Sequence, residues 1–136
     1  MNTDSMYPKV REIIADVLAI EESEIERDGS LIDDYGAESI DFLDLVYRLE
    51  REFKVKIPRG QIEEDVRAAM GDADFERDGR VTEEGLVQLR QYLSEVPEER
   101  IEPNMPVNLI PTLFTAETFC KVVLRALERS EQSAAS

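Results

Sequence analysis

Ser39 is the residue best placed for covalent chemistry. It stands in Gly36-Ala37-Glu38-Ser39-Ile40-Asp41, where a loop of glycine and acids becomes an acidic amphipathic helix. A serine there reads as an N-cap, so the unpaired N–H groups of the first turn would face whatever its hydroxyl carried. A phosphate ester would meet those donors and the positive end of the helix dipole. The residues alone leave two roles open: a helix cap, or a hydroxyl that bears a phosphoryl group.

A second candidate lies further on. Asp74-Phe75-Glu76-Arg77-Asp78-Gly79-Arg80-Val81-Thr82 resembles the start of an EF-hand calcium loop. Acids occupy positions one, three and five, glycine position six and Val81 position eight. The closing bidentate glutamate is missing, because Gly85 holds the last position and Glu84 falls one residue early. With no second loop visible to pair with it, a degenerate structural loop is the simpler reading, and no metal ligands are assigned.

Other chemistry is excluded by composition. The 136 residues include no histidine and one cysteine. Ser-His and Cys-His nucleophile pairs, histidine zinc sites, an internal disulfide and multi-thiolate metal centres are therefore absent. Ile40-Asp41 after Ser39 breaks the pattern of a nucleophile elbow. No carboxylate pair suggests acid–base catalysis, so no catalytic residue is expected and the chain does not read as an enzyme. Cys120 reads as a buried thiol.

Sixteen basic against 31 acidic residues give a net charge of −15. That argues against nucleic acid and anionic membranes and for partners with basic docking patches. No stretch approaches the ~20 apolar residues of a membrane span, and the opening residues do not read as a signal peptide. The expectation is a cytoplasmic monomer with no stable membrane insertion.

The elements that would hold these residues are helical. Thr3, Asp4 and Ser5 offer caps to a first helix, with Pro8 in its first turn and Val10, Ile13, Ile14, Val17 and Leu18 as its apolar face. The second helix follows Ser39, buries Phe42, Leu43, Leu45, Val46, Leu49 and Phe53, and ends near Phe53 or Lys54 because Ile57-Pro58 is not helical. A short helix is plausible from Gln61 to Met70. Thr82 caps another, running to about Glu95 with Leu86, Leu89 and Leu93 on its stripe. Residues 97 to 111 hold four of the six prolines, so they form an ordered loop. Thr115 caps the last helix, with Phe119, Val122, Val123, Ala126 and Leu127 on one face. Residues 130–136 form a frayed tail. The fold class is all-α: a small bundle of three to four core helices with an added helical segment.

Three apolar helices, with a serine at the head of the second after a long loop, resemble the acyl carrier proteins. The resemblance runs from about Val10 to Ile57 and resumes from about Thr115 to Leu127. Its specific part is Asp34-Tyr35-Gly36-Ala37-Glu38-Ser39-Ile40, which is similar to the family's acid, hydrophobe, glycine, small residue, Asp-Ser-Leu. Leu43-Asp44-Leu45-Val46, Leu49-Glu50-Arg51-Glu52-Phe53 and Ile57-Pro58 continue it.

The resemblance implies that Ser39 carries 4′-phosphopantetheine through a phosphodiester, with acyl intermediates held as thioesters on the arm. It implies a phosphopantetheinyl transferase as one partner. Acyl-ligase, synthase or acyltransferase enzymes would dock on Glu38, Asp41, Asp44, Tyr47 and Glu50. An alkyl chain could be sheltered among residues such as Leu43, Val46, Leu49 and Ile62. Glu38 replaces the family's aspartate, Arg48 and Arg51 interrupt the acidic edge, and Tyr47 replaces a smaller apolar residue; these departures imply a dedicated set of partner enzymes.

Residues 63–111 exceed what the family places between its second and last helices. Within a single domain spanning 1–136, this insertion is expected to pack on or beside the bundle, its leucine stripe most simply against the carrier core. Carriers that depart in this way serve specialised fatty-acyl or lipid biosynthesis, including lipid A and lipopolysaccharide assembly. Two readings from other classes remain: a small EF-hand-like calcium-responsive module, and an unmodified interaction domain that uses the carrier fold.

Overall fold

The computed structural model describes residues 2–57, 64, 65, 68, 70 and 74–135. The chain divides into two compact units. The first joins residues 1–58 to residues 115–136, and the second is the stretch 59–114 between them. The helix expected from Gln61 to Met70 falls largely outside the described residues, as does Ile62.

The first unit is built from three long helices: α1 (Thr3–Leu18), α2 (Ser39–Phe53) and α4 (Ala116–Ala135). Helix α1 is capped by Asn2, one residue before the expected caps. The Asn2 side chain accepts the Ser5 N–H at 2.8 Å, and the Ser5 hydroxyl accepts the Asn2 N–H at 3.1 Å. Pro8 accordingly lies in the second turn and not the first. Helix α1 packs against both α2 and α4. Val10, Ile14, Leu31, Leu49, Cys120 and Val123 are almost fully enclosed in the resulting core, where each buried aliphatic side chain contributes about 1.5–3 kcal/mol. Phe42 stacks on Phe119 with ring centroids 5.7 Å apart.

Helix α4 is capped as its sequence suggests. The Thr115 hydroxyl accepts the Thr118 N–H at 3.1 Å, and the Thr118 hydroxyl accepts the Thr115 N–H at 3.0 Å. Arg27 fastens this end of the helix to α1. Its guanidinium pairs with Glu117 and with Asp4, the latter at 2.7 Å, and lies 4.9 Å above the Tyr7 ring.

The second unit has its own core. Leu86, Leu89 and Leu93, on and just beyond helix α3 (Glu83–Tyr92), are buried with Phe75, Val81, Ile101, Met105, Ile110 and Leu113. The stripe therefore belongs to a core cluster within the second unit. Helix α3 is capped by Thr82, whose hydroxyl accepts the Gly85 N–H at 3.0 Å. It stops at Tyr92, three residues before the expected end.

Mostly helical throughout, the fold is that expected of a carrier. Among the described residues the strands are those of a two-stranded hairpin, β1 (Glu76–Arg77) and β2 (Arg80–Val81). Asp78 and Gly79 connect them with φ of 54° and 79°. Two consecutive left-handed residues make the turn whose twist matches a tight hairpin, which is why Asp-Gly occurs there. Strands of two residues are too short to show alternation in the sequence.

This hairpin occupies the stretch that resembles a calcium loop. Gly85, where that loop needs its last glutamate, has no room for any side chain, because a Cβ would lie 2.6 Å from the Phe75 carbonyl oxygen. Among the described residues, no three His, Cys, Asp or Glu side chains are grouped to hold a metal ion. Asp-Gly here closes a hairpin.

Candidate functional site

The loop before α2 is stiffened by its own hydrogen bonds. Ser30 is buried, and its N–H is accepted by the Asp34 carboxylate at 2.7 Å while its hydroxyl accepts the Asp33 N–H at 3.0 Å. Gly36 then turns the chain with φ of 72°, and its N–H reaches the Ile32 carbonyl at 3.1 Å. A left-handed residue here favours glycine on backbone grounds alone, since a Cβ would meet nothing within 4 Å. The Ala37 N–H bonds to the Leu31 carbonyl at 2.9 Å, burying Ala37 beneath the start of the helix.

Ser39 is the first residue of α2, and Glu38 is the N-cap. This corrects the expectation that Ser39 itself caps. The shift of one residue has a visible cause: the Asp41 carboxylate reaches back to accept the Glu38 N–H at 2.8 Å, fixing Glu38 as the last extended residue. Asp41, expected only as a docking residue, thereby sets where the helix begins. The sequence signal was present as an acid three residues after Glu38, the spacing of a capping box. Ser39 still opens the helix, between exposed Glu38 and exposed Ile40.

The acidic residues expected along α2 differ in their engagement. Glu38 is exposed. Asp44 is exposed and pairs with Arg48 one turn later at 3.2 Å. Pairs of that kind contribute at most about 1 kcal/mol and leave the carboxylate accessible. Glu50 is turned inward to the chain, where its carboxylate accepts the Ile57 N–H at 2.8 Å. Tyr47 is exposed, with the Arg51 guanidinium 5.7 Å from its ring centre.

Apolar residues also face outward on α2. Ile40 is 69% exposed, Leu43 51% and Tyr47 56%. Their spacing of three and four places them on one stripe running away from Ser39. Leu43 was expected to line an interior alkyl site, so this is a correction; Val46 is half-buried and Leu49 fully buried. Helix α2 carries more apolar residues than one face can bury, and that surplus was the readable signal. Beneath the helix, Ile14, Val17, Leu18, Leu31, Phe42 and Leu45 line a cleft too narrow for water.

Cys120 is buried among these helices. Burial pushes its thiol up to about 12, Glu117 adding to the rise and Arg27 opposing it. A thiol so hard to ionise is a packing group.

The family model described as the phosphopantetheine attachment site matches residues 8–68. An acyl carrier protein of Clostridium acetobutylicum is 43% identical over 58 residues, covering 43% of this chain and 75% of its own. Acyl carrier protein AcpXL of Rhizobium meliloti is 31% identical over 100 residues, covering 74% of this chain and 95% of its own. The chain belongs to the acyl carrier protein family. A further acyl carrier protein, from Thermotoga maritima, is 40% identical over 60 residues. The carrier's prosthetic group is 4′-phosphopantetheine. The local structure fits such a group: the Gly36 turn and the start of α2 hold residue 39 between exposed neighbours, at a helix end that favours a phosphodiester's negative charge.

Proposed function

We propose that Ser39 is the attachment residue and that the carrier serves a specialised branch of fatty-acyl or lipid biosynthesis, of the lipid A or lipopolysaccharide kind. The observation that carries the first part is the position of Ser39 as the opening residue of α2, directly after the Gly36 turn. The bound arm supplies a thiol on which an acyl group travels. The chain's own residues hold the attachment point at a helix N-terminus and offer an acidic and apolar edge beside it, and with no histidine in the sequence the usual base for a serine hydroxyl is missing. Activation therefore belongs to the phosphopantetheinyl transferase, and the carrier is a substrate, not a catalyst.

Docking is assigned to Glu38, Asp41, Asp44 and Tyr47, with Ile40 and Leu43 added. Glu50 contributes less, because its carboxylate is already bonded to Ile57. Acyl-ligase, synthase and acyltransferase partners with Arg and Lys patches would be steered to this edge and weakened by salt, since charges are screened over ~8 Å at physiological ionic strength. Two features support the specialised assignment: the inserted unit with its own core, and similarity to the separately designated carrier AcpXL along 74% of this chain. Among the described residues no helix is long and apolar enough to cross a membrane, in keeping with a cytoplasmic carrier.

The direct test uses coenzyme A and a promiscuous phosphopantetheinyl transferase. Mass spectrometry should show one added phosphopantetheine on the native chain and none on Ser39→Ala. Addition to Ser39→Ala would move the site elsewhere. For the pathway, acyl loading by general fatty-acid synthases at the same rate as by a dedicated acyltransferase would argue against a specialised role.

A further inference from the structure

The chain has a net charge of −15, yet one groove is lined mainly by positive charge. A groove of about 600 Å³ within the first unit, at the end of α2 remote from Ser39, is lined by Arg51, Lys54, Lys56 and Arg129. Among the described residues, the sole carboxylate lining it is Glu50, already committed to the Ile57 N–H at 2.8 Å. Buried Val55 and Ala126 add apolar atoms to its wall. Among the described residues, none of the four cations forms an ion pair.

Helix electrostatics account for only part of this cluster. Arg51 in the last turn of α2, and Lys54 just after it, complement the negative end of that helix. Lys56 is beyond the helix. Arg129 belongs to α4, which continues to Ala135, so it lies outside that helix's last turn. Its Nη2 is buried without a hydrogen-bond partner. A buried charged donor left unpaired is costly.

We infer that this groove binds a phosphate-bearing ligand carrying at least two negative charges. Four cations line one groove, and a single carboxylate would neutralise only part of that positive charge. A phosphate monoester or a pyrophosphate offsets more of it and offers oxygens to both guanidinium forks, which match phosphate geometry. The groove has the volume of an ordinary small-ligand site. Phosphate of this class exists free in solution and on lipid headgroups, so the experiment includes both sources.

The full-length carrier, loaded with its arm and labelled with ¹⁵N, is titrated with pyrophosphate. Saturable shifts are expected at the amides of Val55, Lys56, Ala126 and Arg129, and they should weaken as salt rises. Arg51→Gln combined with Arg129→Gln should weaken binding at least about tenfold. Lys56→Gln, at an exposed position outside the helices, gives a second variant whose folding is safe and should also weaken it. Phosphatidylcholine vesicles containing phosphatidic acid form the lipid arm; retention by the native chain and not by the double variant identifies a headgroup source. Absence of shifts at millimolar pyrophosphate together with no vesicle retention overturns the inference. So do equal binding by the variants, equal binding of acetate, or shifts produced only by polyglutamate.

Discussion

The hydroxyl of Tyr35 accepts the backbone N–H of Glu26 at 2.6 Å. This bond spans the loop that leads to Ser39, and it brings the Tyr35 ring across Gly29. A Cβ at Gly29 would collide with that hydroxyl and lie 2.9 Å from the ring carbon bearing it. Gly29 is thus required by a neighbour, not by its own backbone. Gly29→Ala should displace the Tyr35 ring and cost up to about 1 kcal/mol, the worth of the hydrogen bond. Urea unfolding of the single variants and of the pair with Tyr35→Ala checks it: in the Tyr35→Ala background the Gly29 substitution should cost much less.

Gly36 is required for the opposite reason. Its φ of 72° strains any L side chain although the surrounding space is open. Gly36→Ala should destabilise the first unit by about 1–2 kcal/mol. If the turn presents Ser39 to the transferase, the same variant should also slow phosphopantetheine addition while leaving the far-ultraviolet spectrum unchanged. Unchanged stability and rate would show that the turn adapts.

Arg27 links the loop to the starts of two helices through Asp4 and Glu117. Removing it leaves Glu117, whose side chain is only 16% exposed, without its partner. Arg27→Gln should cost about 1–3 kcal/mol. Lys should recover only part of that, because one ammonium cannot reproduce the fork that meets two carboxylates. Denaturant midpoints of the three proteins give the comparison.

Completing the calcium-like pattern should fail. Gly85→Glu supplies the missing twelfth residue, yet its Cβ would sit 2.6 Å from a backbone oxygen. The expected result is loss of folded structure in the second unit, with no calcium-dependent change in its NMR spectrum. A calcium-induced spectrum with a native melting temperature would show that an EF-hand can form there.

Cys120 makes stability depend on alkaline pH. Its thiol is raised to about 12 in the folded chain, against about 8.5 when unfolded. Below the lower value both states hold the proton and stability is unaffected. Above it the unfolded chain ionises first, so stability falls by up to about 1.4 kcal/mol per pH unit until the folded thiol also titrates. Thermal melts between about pH 9 and 11 should therefore decline less steeply for Cys120→Ala than for the native chain. Iodoacetamide should leave the native thiol unmodified near neutral pH.

The long helices were legible because their apolar residues repeat at helical spacing and each burial is local in sequence. Val10, Ile14, Leu49 and Val123 could be placed in a core before any coordinates. The Ser39 region was legible in its motif but shifted by one residue, because the capping contact from Asp41 to Glu38 competes with a serine cap. Leu43 was misplaced, since periodicity ranks residues by apolarity and cannot tell which of two stripes finds a neighbour. The stretch around Asp78-Gly79 resembles the start of a calcium loop because a tight hairpin and such a loop both need glycine at the same point, and strands of two residues leave no pattern that tells them apart. The groove at Arg51 and Arg129 joins residues 78 positions apart, which no local pattern can reveal.

The interruption of the carrier bundle by residues 59–114 imposes an order of assembly during translation. Helix α4 leaves the ribosome last, so α1 and α2 must wait without their third wall until the whole intervening unit has emerged. At ~5–20 residues per second that wait lasts several seconds. The unit in between has its complete core by then and can condense first, drawing the two halves of the bundle together and reducing the entropic cost of closing so long a gap.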